Sequence, residues 1–588
     1  MKTLASPMLV PRLPIWRSRV LLLILIGWML GLGGRALYLQ GLNNDFLQQK
    51  GESRYSRLVE IGAHRGRITD RHGEPLAISA AVESVWASPA DFNASAEQLR
   101  RLSRLIGVDG GEISRRLSDT RREFVYLRRQ LPPDEAARVV ELNIPGVFLQ
   151  REYRRFYPAG EVTSHLLGMT DIDDKGQEGI ELAFHDALVG KPGSRRVIKD
   201  RLGRIIEDVE SIRAPQQGRD LTLSIDRKIQ YLAYRELKAA LEEHRAKAGG
   251  IVVLDARTGE ILALVNLPAY NPNNRGRIET NRARNRALTD LFEPGSTLKP
   301  FTAALALEAG RVTPDTVIQT GNGKLTIGAA TISDAHPAGA LSVAQIIQKS
   351  SNVGAAKLAL DLPAQSMWDM FSRIGLGAPT QSGFPGEGSG KLRAYQSWRP
   401  IEQATMAYGH GISVTLLQLA RAYTIFASDG ELKPITLLKR DEPEAGRQVI
   451  AAPIARSVRK MLEMAVQPGG TAPRAQIAGY RVAGKTGTAR KLEDGRYVMT
   501  KYVSSFVGFA PVSEPRIIVA VMIDEPTAGQ YYGGLVAAPV FREVTAGALR
   551  TLSVVPDAPT LTVKLPPADE PVIKEGVWIA RENPGPKG

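Results

Sequence analysis

The chain contains no cysteine. That absence excludes disulfide staples, a thiolate nucleophile, cysteine-ligated zinc, iron–sulfur clusters and a lipid anchor attached at cysteine. It leaves the compartment open, because an exported protein need not use disulfides. Zinc-ligand spacing, aromatic-basic ribonucleoprotein motifs and basic heptads are also missing, so nucleic acid is not an expected partner. No internal repeat occurs. Acidic residues are in the minority, 61 against 76 lysines and arginines, for a formal charge of +15. Such a balance favours anionic partners, among them a membrane surface or an acidic polymer. What the chain has is length and apolar content. Its 588 residues are 43% hydrophobic, which excludes global disorder and suits about two to four folding units.

Only one stretch is apolar enough to suggest a bilayer. Lys2, Arg12, Arg17 and Arg19 precede fifteen uncharged residues, Val20 to Gly34, and Arg35 follows. The uncharged run alone is shorter than the roughly 20 residues a spanning helix needs. Arg35 can snorkel, and Trp16, Trp28 and Tyr38 suit the interfaces, so residues 16–39 are read as an anchor. The preceding charges predict a cytoplasmic tail over 1–15 and an exported bulk. A cleaved signal peptide and a buried core helix are the alternatives; no Ala-x-Ala cleavage site follows the run.

Residues 40–57 read as a polar helical stalk. From 58 to 215 short strands and helices alternate, with arginine pairs at 115/116, 121/122, 128/129 and 154/155. Those pairs are expected to form a solvated basic face. Composition shifts near 215. A strand at 221–225 and an amphipathic helix at 226–244 precede a β-hairpin, whose apolar arms 251–254 and 261–265 flank Asp255-Ala256-Arg257-Thr258-Gly259-Glu260. Helical patterns fill 296–470, and a second hairpin pairs 502–510 with 516–524. Strands at both ends of a helical block predict an α/β (α+β) unit over 216–555, an antiparallel sheet flanked by helices. Residues 556–588 hold seven prolines and read as an extended tail.

Three short segments can carry chemistry. In Phe292-Glu293-Pro294-Gly295-Ser296-Thr297-Leu298-Lys299-Pro300, Pro300 is tolerated only near a helix start, so the helix must begin near Ser296. The Ser296 hydroxyl then sits at the positive end of the helix, with Lys299 on the same face one turn later. A lysine held in an apolar pocket can shed its charge and act as the base that activates serine. The spacing recurs at Ser457-Val458-Arg459-Lys460, but among arginines on an amphipathic helix. Ser350-Ser351-Asn352 falls at a helix junction, where a plain helix cap is the simpler explanation. Lys485-Thr486-Gly487-Thr488 falls in a strand-like run over 480–489, where a turn is the simpler explanation.

Taken together and in this order, Ser-x-x-Lys, Ser-x-Asn and Lys-Thr-Gly form the signature of penicillin-recognising serine enzymes. From the anchor to about residue 550 the chain resembles a class B penicillin-binding protein of the septal FtsI type. Arg65-Gly66-Arg67-Ile68-Thr69-Asp70-Arg71, Arg155-Phe156-Tyr157-Pro158 and Gly176-Gln177-Glu178-Gly179-Ile180-Glu181 resemble its N-terminal module. Pro268-Ala269-Tyr270-Asn271-Pro272-Asn273 and Tyr408-Gly409-His410-Gly411 resemble its catalytic module. The resemblance implies a penicillin-binding transpeptidase fold with a non-catalytic pedestal or dimerisation domain over 58–215 and a single transmembrane helix in the inner membrane. It implies a D,D-transpeptidase that cross-links peptidoglycan stem peptides through an acyl-enzyme on Ser296 and is inhibited by β-lactams. Lys299 takes the serine proton, Ser350 relays a proton, and Asn352, Lys485, Thr486, Gly487 and Thr488 bind substrate. No metal or cofactor is implied. FtsW and the FtsQ, FtsL, FtsB and FtsN group are the implied partners. An elongation-type transpeptidase, a D,D-carboxypeptidase and a β-lactam receptor stay open as alternatives. A class A β-lactamase is disfavoured, because no Glu-x-x-Leu-Asn stretch follows Asn352. A sensor needs a cytoplasmic output domain, for which about fifteen residues before the anchor are too few.

Overall fold

The computed structural model describes residues 15–39, 56–199, 205–274, 280–493, 495–559 and 581–582. The expected N-terminal tail, most of the stalk and most of the proline-rich tail lie outside these residues. Ile15–Leu37 forms a helix of 23 residues that includes an 18-residue stretch of mean hydropathy 2.0. At about 1.5 Å per residue it is about 35 Å long, enough for a hydrocarbon core of about 30 Å. Arg35 folds back over the Tyr38 ring at 5.4 Å, and Arg17 lies over Trp16 at 5.5 Å. Both contacts suit charged residues at the ends of an apolar helix.

The chain divides into two compact units. The first comprises residues up to Ala63, Val82–Glu152 and Lys191–Gln216. In it, helices Ala96–Ile106, Gly110–Arg116 and Pro133–Glu141 surround Val85, Leu102, Ile106, Leu127 and Val139. Ser95 and Gln98 close a capping box on the first helix, and Gly107 ends it at φ 64°, satisfying terminal groups that would otherwise be orphaned. Three of the arginine pairs belong here. Arg115 and Arg116 meet Glu112, Arg121 and Arg122 meet Asp119, and Arg129 meets Glu152. This face is solvated and internally paired.

The fourth pair departs from that expectation. It lies in the second unit, which comprises His64–Ala81, Tyr153–Gly190 and Gln217 onward, and Arg155 is 1% exposed. Arg65 and Arg155 grip opposite oxygens of Glu181 at 2.5 and 2.6 Å, with no side-chain exposure at any of the three. Arg65 also reaches the Asp174 carbonyl at 3.2 Å, and Arg155 reaches Ser79 Oγ at 3.2 Å. The alternative to such pairing is an uncompensated buried charge, which is far more costly. The three N-terminal segments singled out in the sequence therefore meet at one ionic centre.

The rest of the second unit is built on a five-stranded antiparallel sheet. Its strands are β1 (Ala248–Asp255), β2 (Ile261–Leu267), β3 (Ala483–Glu493), β4 (Arg496–Ala510) and β5 (Ile517–Asp524), in spatial order β2-β1-β5-β4-β3. Both ends of the unit thus supply the sheet. On one face Ile251, Val253, Phe506, Val519 and Val521 pack on helices α1 (Arg227–Glu243) and, near the C-terminus, Gly533–Thr551. On the other, Val252, Leu254, Val507, Phe509 and Ile518 pack into the helical block that includes Leu298 and Phe301. Burial on both faces explains why these strands read as unbroken apolar runs.

Asp174 gives the ionic centre a pH signature. Burial, opposed by the fields of Arg65 and Arg155, pushes its carboxyl up to about 6 from 3.8. An unfolded chain ionises it near 3.8, so between those values the folded state holds the extra proton and stability falls as pH rises, by about 2 to 3 kcal/mol in total. Asp174→Asn is expected to gain on the unaltered protein as pH is raised from 4 to 7 in denaturant unfolding. A stability difference independent of pH would refute this.

Candidate active site

Pro294 enters a 3₁₀ turn over Gly295–Leu298, and α2 (Lys299–Glu308) follows without a break. Pro300 occupies the first turn of α2, where its missing N–H breaks no hydrogen bond. The turn is fixed from both sides. Thr297 Oγ1 donates to the Pro294 carbonyl at 2.7 Å, and Tyr423 Oη donates to the Thr297 carbonyl at 2.8 Å. Phe301 meets Tyr423 edge to face and lies tilted against Phe426. Lys299 is 0% exposed. Its Nζ lies 2.8 Å from Ser296 Oγ, 2.9 Å from Ser350 Oγ and 2.6 Å from the Ser350 carbonyl. Three uncharged oxygens from two segments thus converge on one nitrogen.

Ser350 ends helix α3 (Val343–Lys349) in the left-handed region, at φ 60°. A serine is strained there, and surrounding contacts must hold it. The Ser350 carbonyl and hydroxyl are both held by Lys299, and the residues that follow are fixed by Asp334, which nothing in the sequence marks. One carboxylate oxygen accepts Ser351 Oγ at 2.6 Å; the other accepts the backbone N–H groups of Asn352 and Val353 at 2.5 and 2.9 Å. A carboxylate on the first N–H groups of a helix is favourable, and α4 (Asn352–Leu360) starts there. Asn352 Nδ2 donates to the Ser333 carbonyl at 3.1 Å.

Lys485, Thr486, Gly487 and Thr488 lie in β3, which begins at Ala483 rather than at 480. Lys485 Nζ reaches Thr486 Oγ1 at 3.0 Å, and Thr486 Oγ1 meets Thr471 Oγ1 at 3.0 Å. Thr488 Oγ1 accepts Gly533 N–H at 3.0 Å. At Gly487 a methyl group would lie 2.5 Å from Ser505 Oγ and 2.7 Å from the Pro294 carbonyl, so the segment leading to Ser296 can press on β3 only because no side chain stands there. By contrast, Lys460 of the recurring Ser457 pattern is exposed, while Arg456 and Arg459 are tied to Asp429.

A further cluster lies beside Ser296. Glu293 accepts the Gly411 N–H at 2.8 Å and Tyr497 Oη at 2.9 Å, and its other oxygen is 3.1 Å from His410 Nδ1. One carboxylate thus joins the segment before Ser296, the 408–411 turn and the hairpin that continues β3. Burial and the nearby charge of Glu293 hold the Tyr497 phenol above its ordinary range, so it donates. Tyr408, wholly buried, places its ring 6.0 Å from Lys299 Nζ. Burial, with the charges of Asp334 and Glu293, likewise raises its phenol.

The penicillin binding protein transpeptidase domain family matches residues 249–546, and the penicillin-binding protein dimerisation domain family matches 60–223. The chain is 46% identical over 529 residues to the probable peptidoglycan D,D-transpeptidase PenA of Neisseria gonorrhoeae, covering 89% of this chain and 91% of that one. It is 42% identical over 571 residues to the peptidoglycan D,D-transpeptidase FtsI of Escherichia coli strain K12, covering 95% of each. Among solved structures it is similar to the TP domain of Burkholderia pseudomallei penicillin-binding protein 3, at 51% identity and TM-score 0.54, over 57% of this chain and 98% of that one.

Gly409 sets the approach of the 408–411 turn to the Gly295–Leu298 turn. It adopts φ +82°, and a methyl group there would lie 2.2 Å from the Gly295 carbonyl. Gly409→Ala is expected to lose about 2 kcal/mol or more in denaturant unfolding, from overpacking and backbone strain together. Covalent labelling of Ser296 by a β-lactam should slow by about tenfold or more as the turn is displaced. Unchanged stability and labelling would show that this contact is not a constraint.

Proposed function

The chain belongs to the class B penicillin-binding proteins, and from that premise we propose that it is a peptidoglycan D,D-transpeptidase acting in septal cell-wall synthesis. Ser296 Oγ attacks the carbonyl carbon of the penultimate D-Ala of a stem peptide, and Lys299 Nζ takes the hydroxyl proton. The tetrahedral oxyanion is held by the backbone N–H groups of Ser296 and Thr488, each worth about 3 kcal/mol in the transition state. The proton passes through Ser350 to the leaving nitrogen of the terminal D-Ala, whose departure leaves an ester on Ser296. An amine of a neighbouring stem peptide attacks that ester, completes the cross-link and frees the serine. Asn352 holds the substrate amide. The donor pairs with β3 as an added strand, its terminal carboxylate towards Lys485, Thr486 and Thr488.

One observation carries this reading: the buried Lys299 amine is within hydrogen-bond distance of both serine hydroxyls. That is the arrangement a base needs if it is to collect a proton from the nucleophile and hand it towards the leaving group. Likeness to FtsI over 95% of both chains supports a septal role. The carboxypeptidase alternative, with water as acceptor, draws no separate support from the relatives. We also propose that Ile15–Leu37 anchors the protein in the inner membrane with its N-terminus cytoplasmic and its catalytic unit periplasmic. The arginines before the helix support that direction. FtsW and other division proteins are the proposed partners.

Ser296→Ala should abolish labelling by a fluorescent penicillin while leaving the unfolding transition intact, and Ser457→Ala should leave labelling as it was. Label persisting on another serine in Ser296→Ala would overturn the assignment. Lys299→Ala is expected to slow acylation by about two to four orders of magnitude, the range for loss of a general base; a near-normal rate in stopped-flow acylation would remove it from that role. Trypsin added outside spheroplasts should degrade the catalytic unit, and protection there would invert the topology.

A further inference from the structure

Tyr408 stands between two residues that are bonded to the segment carrying Lys299. On one side, Thr302 of α2, three residues after Lys299, donates its hydroxyl to the Ala407 carbonyl at 3.0 Å. On the other, the Gly295 N–H donates to the Gly409 carbonyl at 3.2 Å. Between these ties the Tyr408 ring is 1% exposed and lies over Lys299 Nζ, with the amine 6.0 Å from the ring centroid. His410 meets the ring edge to face at 5.3 Å. The ring cannot leave Lys299 without breaking bonds to the same turn and helix. Its hydroxyl does not account for this placement. Tyr408 Oη is buried and has no hydrogen-bond partner among the described residues, and a buried hydroxyl left unpaired costs stability. Burial and the charges of Asp334 and Glu293 keep the proton on it, so the ring is that of a neutral phenol.

What the residue presents to Lys299 is a ring face, and a ring face attracts a cation, more strongly where water is excluded. In the reaction proposed above, Lys299 begins as a neutral amine. As the bond from Ser296 Oγ to the substrate carbonyl carbon forms, the hydroxyl proton moves to Nζ and the amine becomes an ammonium. It is an amine again once the proton has left through Ser350 to the departing nitrogen. An ammonium enclosed away from water is costly unless its surroundings compensate. The two serine hydroxyls and the Ser350 carbonyl supply acceptor oxygens. The ring adds a favourable field at the one step where the charge exists. We propose that Tyr408 is a positioning residue of the acylation step and, on the reading of Lys299 as the base, that its ring face stabilises the ammonium and so speeds proton transfer from Ser296.

The test measures acylation of the detergent-solubilised full chain by a fluorescent penicillin. Tyr408→Phe keeps the ring and is the reference. The same position then carries mono-, di- and trifluorophenylalanine, which withdraw charge from the ring face while nearly keeping its size. Acylation is expected to slow with each added fluorine, to about tenfold below the reference at the third, with the unfolding transition in place. Tyr408→Leu, which has no ring face, should slow acylation by about tenfold, and Tyr408→Phe should restore it. A flat or rising series, or Tyr408→Leu as fast as Tyr408→Phe, would overturn the inference; if Tyr408→Leu fails to fold, the fluorinated series decides alone. Lys299→Ala in the same assay separates the two readings. Near-normal acylation there refutes Lys299 as the base, whereas acylation that depends on Lys299 with a flat series refutes the role of Tyr408 alone.

Discussion

A single nitrogen holds the site together. Lys299 Nζ lies between Ser296 Oγ and both oxygens of Ser350, with no water-exposed surface. Moved by an ångström, the amine would lose one partner or the other, and a misplacement of that size is enough to cost catalytic geometry dearly. The surrounding structure can be understood as the set of constraints that prevents the movement. The 3₁₀ turn places Ser296 just ahead of α2, Tyr423 and Thr297 lock the turn, and Asp334 fixes Ser351, Asn352 and Val353 directly after Ser350, which adopts a backbone conformation that serine resists.

Those constraints come from segments far apart in sequence. Ser296 and Ser350 belong to the helical block, and β3 belongs to the C-terminal strands. They meet because the sheet is assembled from both ends of the unit, which leaves β3 at an edge beside the turn that carries Ser296. An edge strand is a liability in most proteins, open to pairing with another chain. In the proposed function that property is put to use, since the peptide donor is the strand that completes the ladder. The glycines at 409 and 487 allow backbone segments to stack at distances that side chains would forbid.

Much of this was legible beforehand. Both hairpin arms, the helix start at Ser296 and the strand position of Lys485 follow from apolar runs and from the steric demands of Pro300, which are local rules. Two kinds of feature were not. Asp334 and Glu293 act through space on segments that sequence spacing does not relate to them, so no periodicity flags them. Arg155 was read with the other arginine pairs as solvated, because arginine is almost never buried unless paired. Its partner, Glu181, stands 26 residues away and becomes visible only when the chain closes. The strand-like run from Tyr480 overshoots the start of β3 at Ala483, because Tyr480 and Val482 alternate with Arg481 as in a strand but make no ladder pairing with β4.

The two Ser-x-x-Lys stretches show where motif reading stops and physics takes over. Spacing is identical at Ser296 and Ser457, and both lie at helical positions. At Ser457 the lysine projects into solvent, where water stabilises an ammonium and two arginines beside it are occupied by Asp429. At Ser296 the lysine is enclosed, with neutral oxygens and an aromatic face among its contacts. A helix places a serine and a lysine side by side wherever three residues separate them, so proximity by itself distinguishes nothing. What differs is the solvent, and solvent is decided by the packing of Phe301, Tyr408 and Tyr423 around the turn. The chemistry proposed for Ser296 therefore depends on the hydrophobic core as directly as it depends on Lys299.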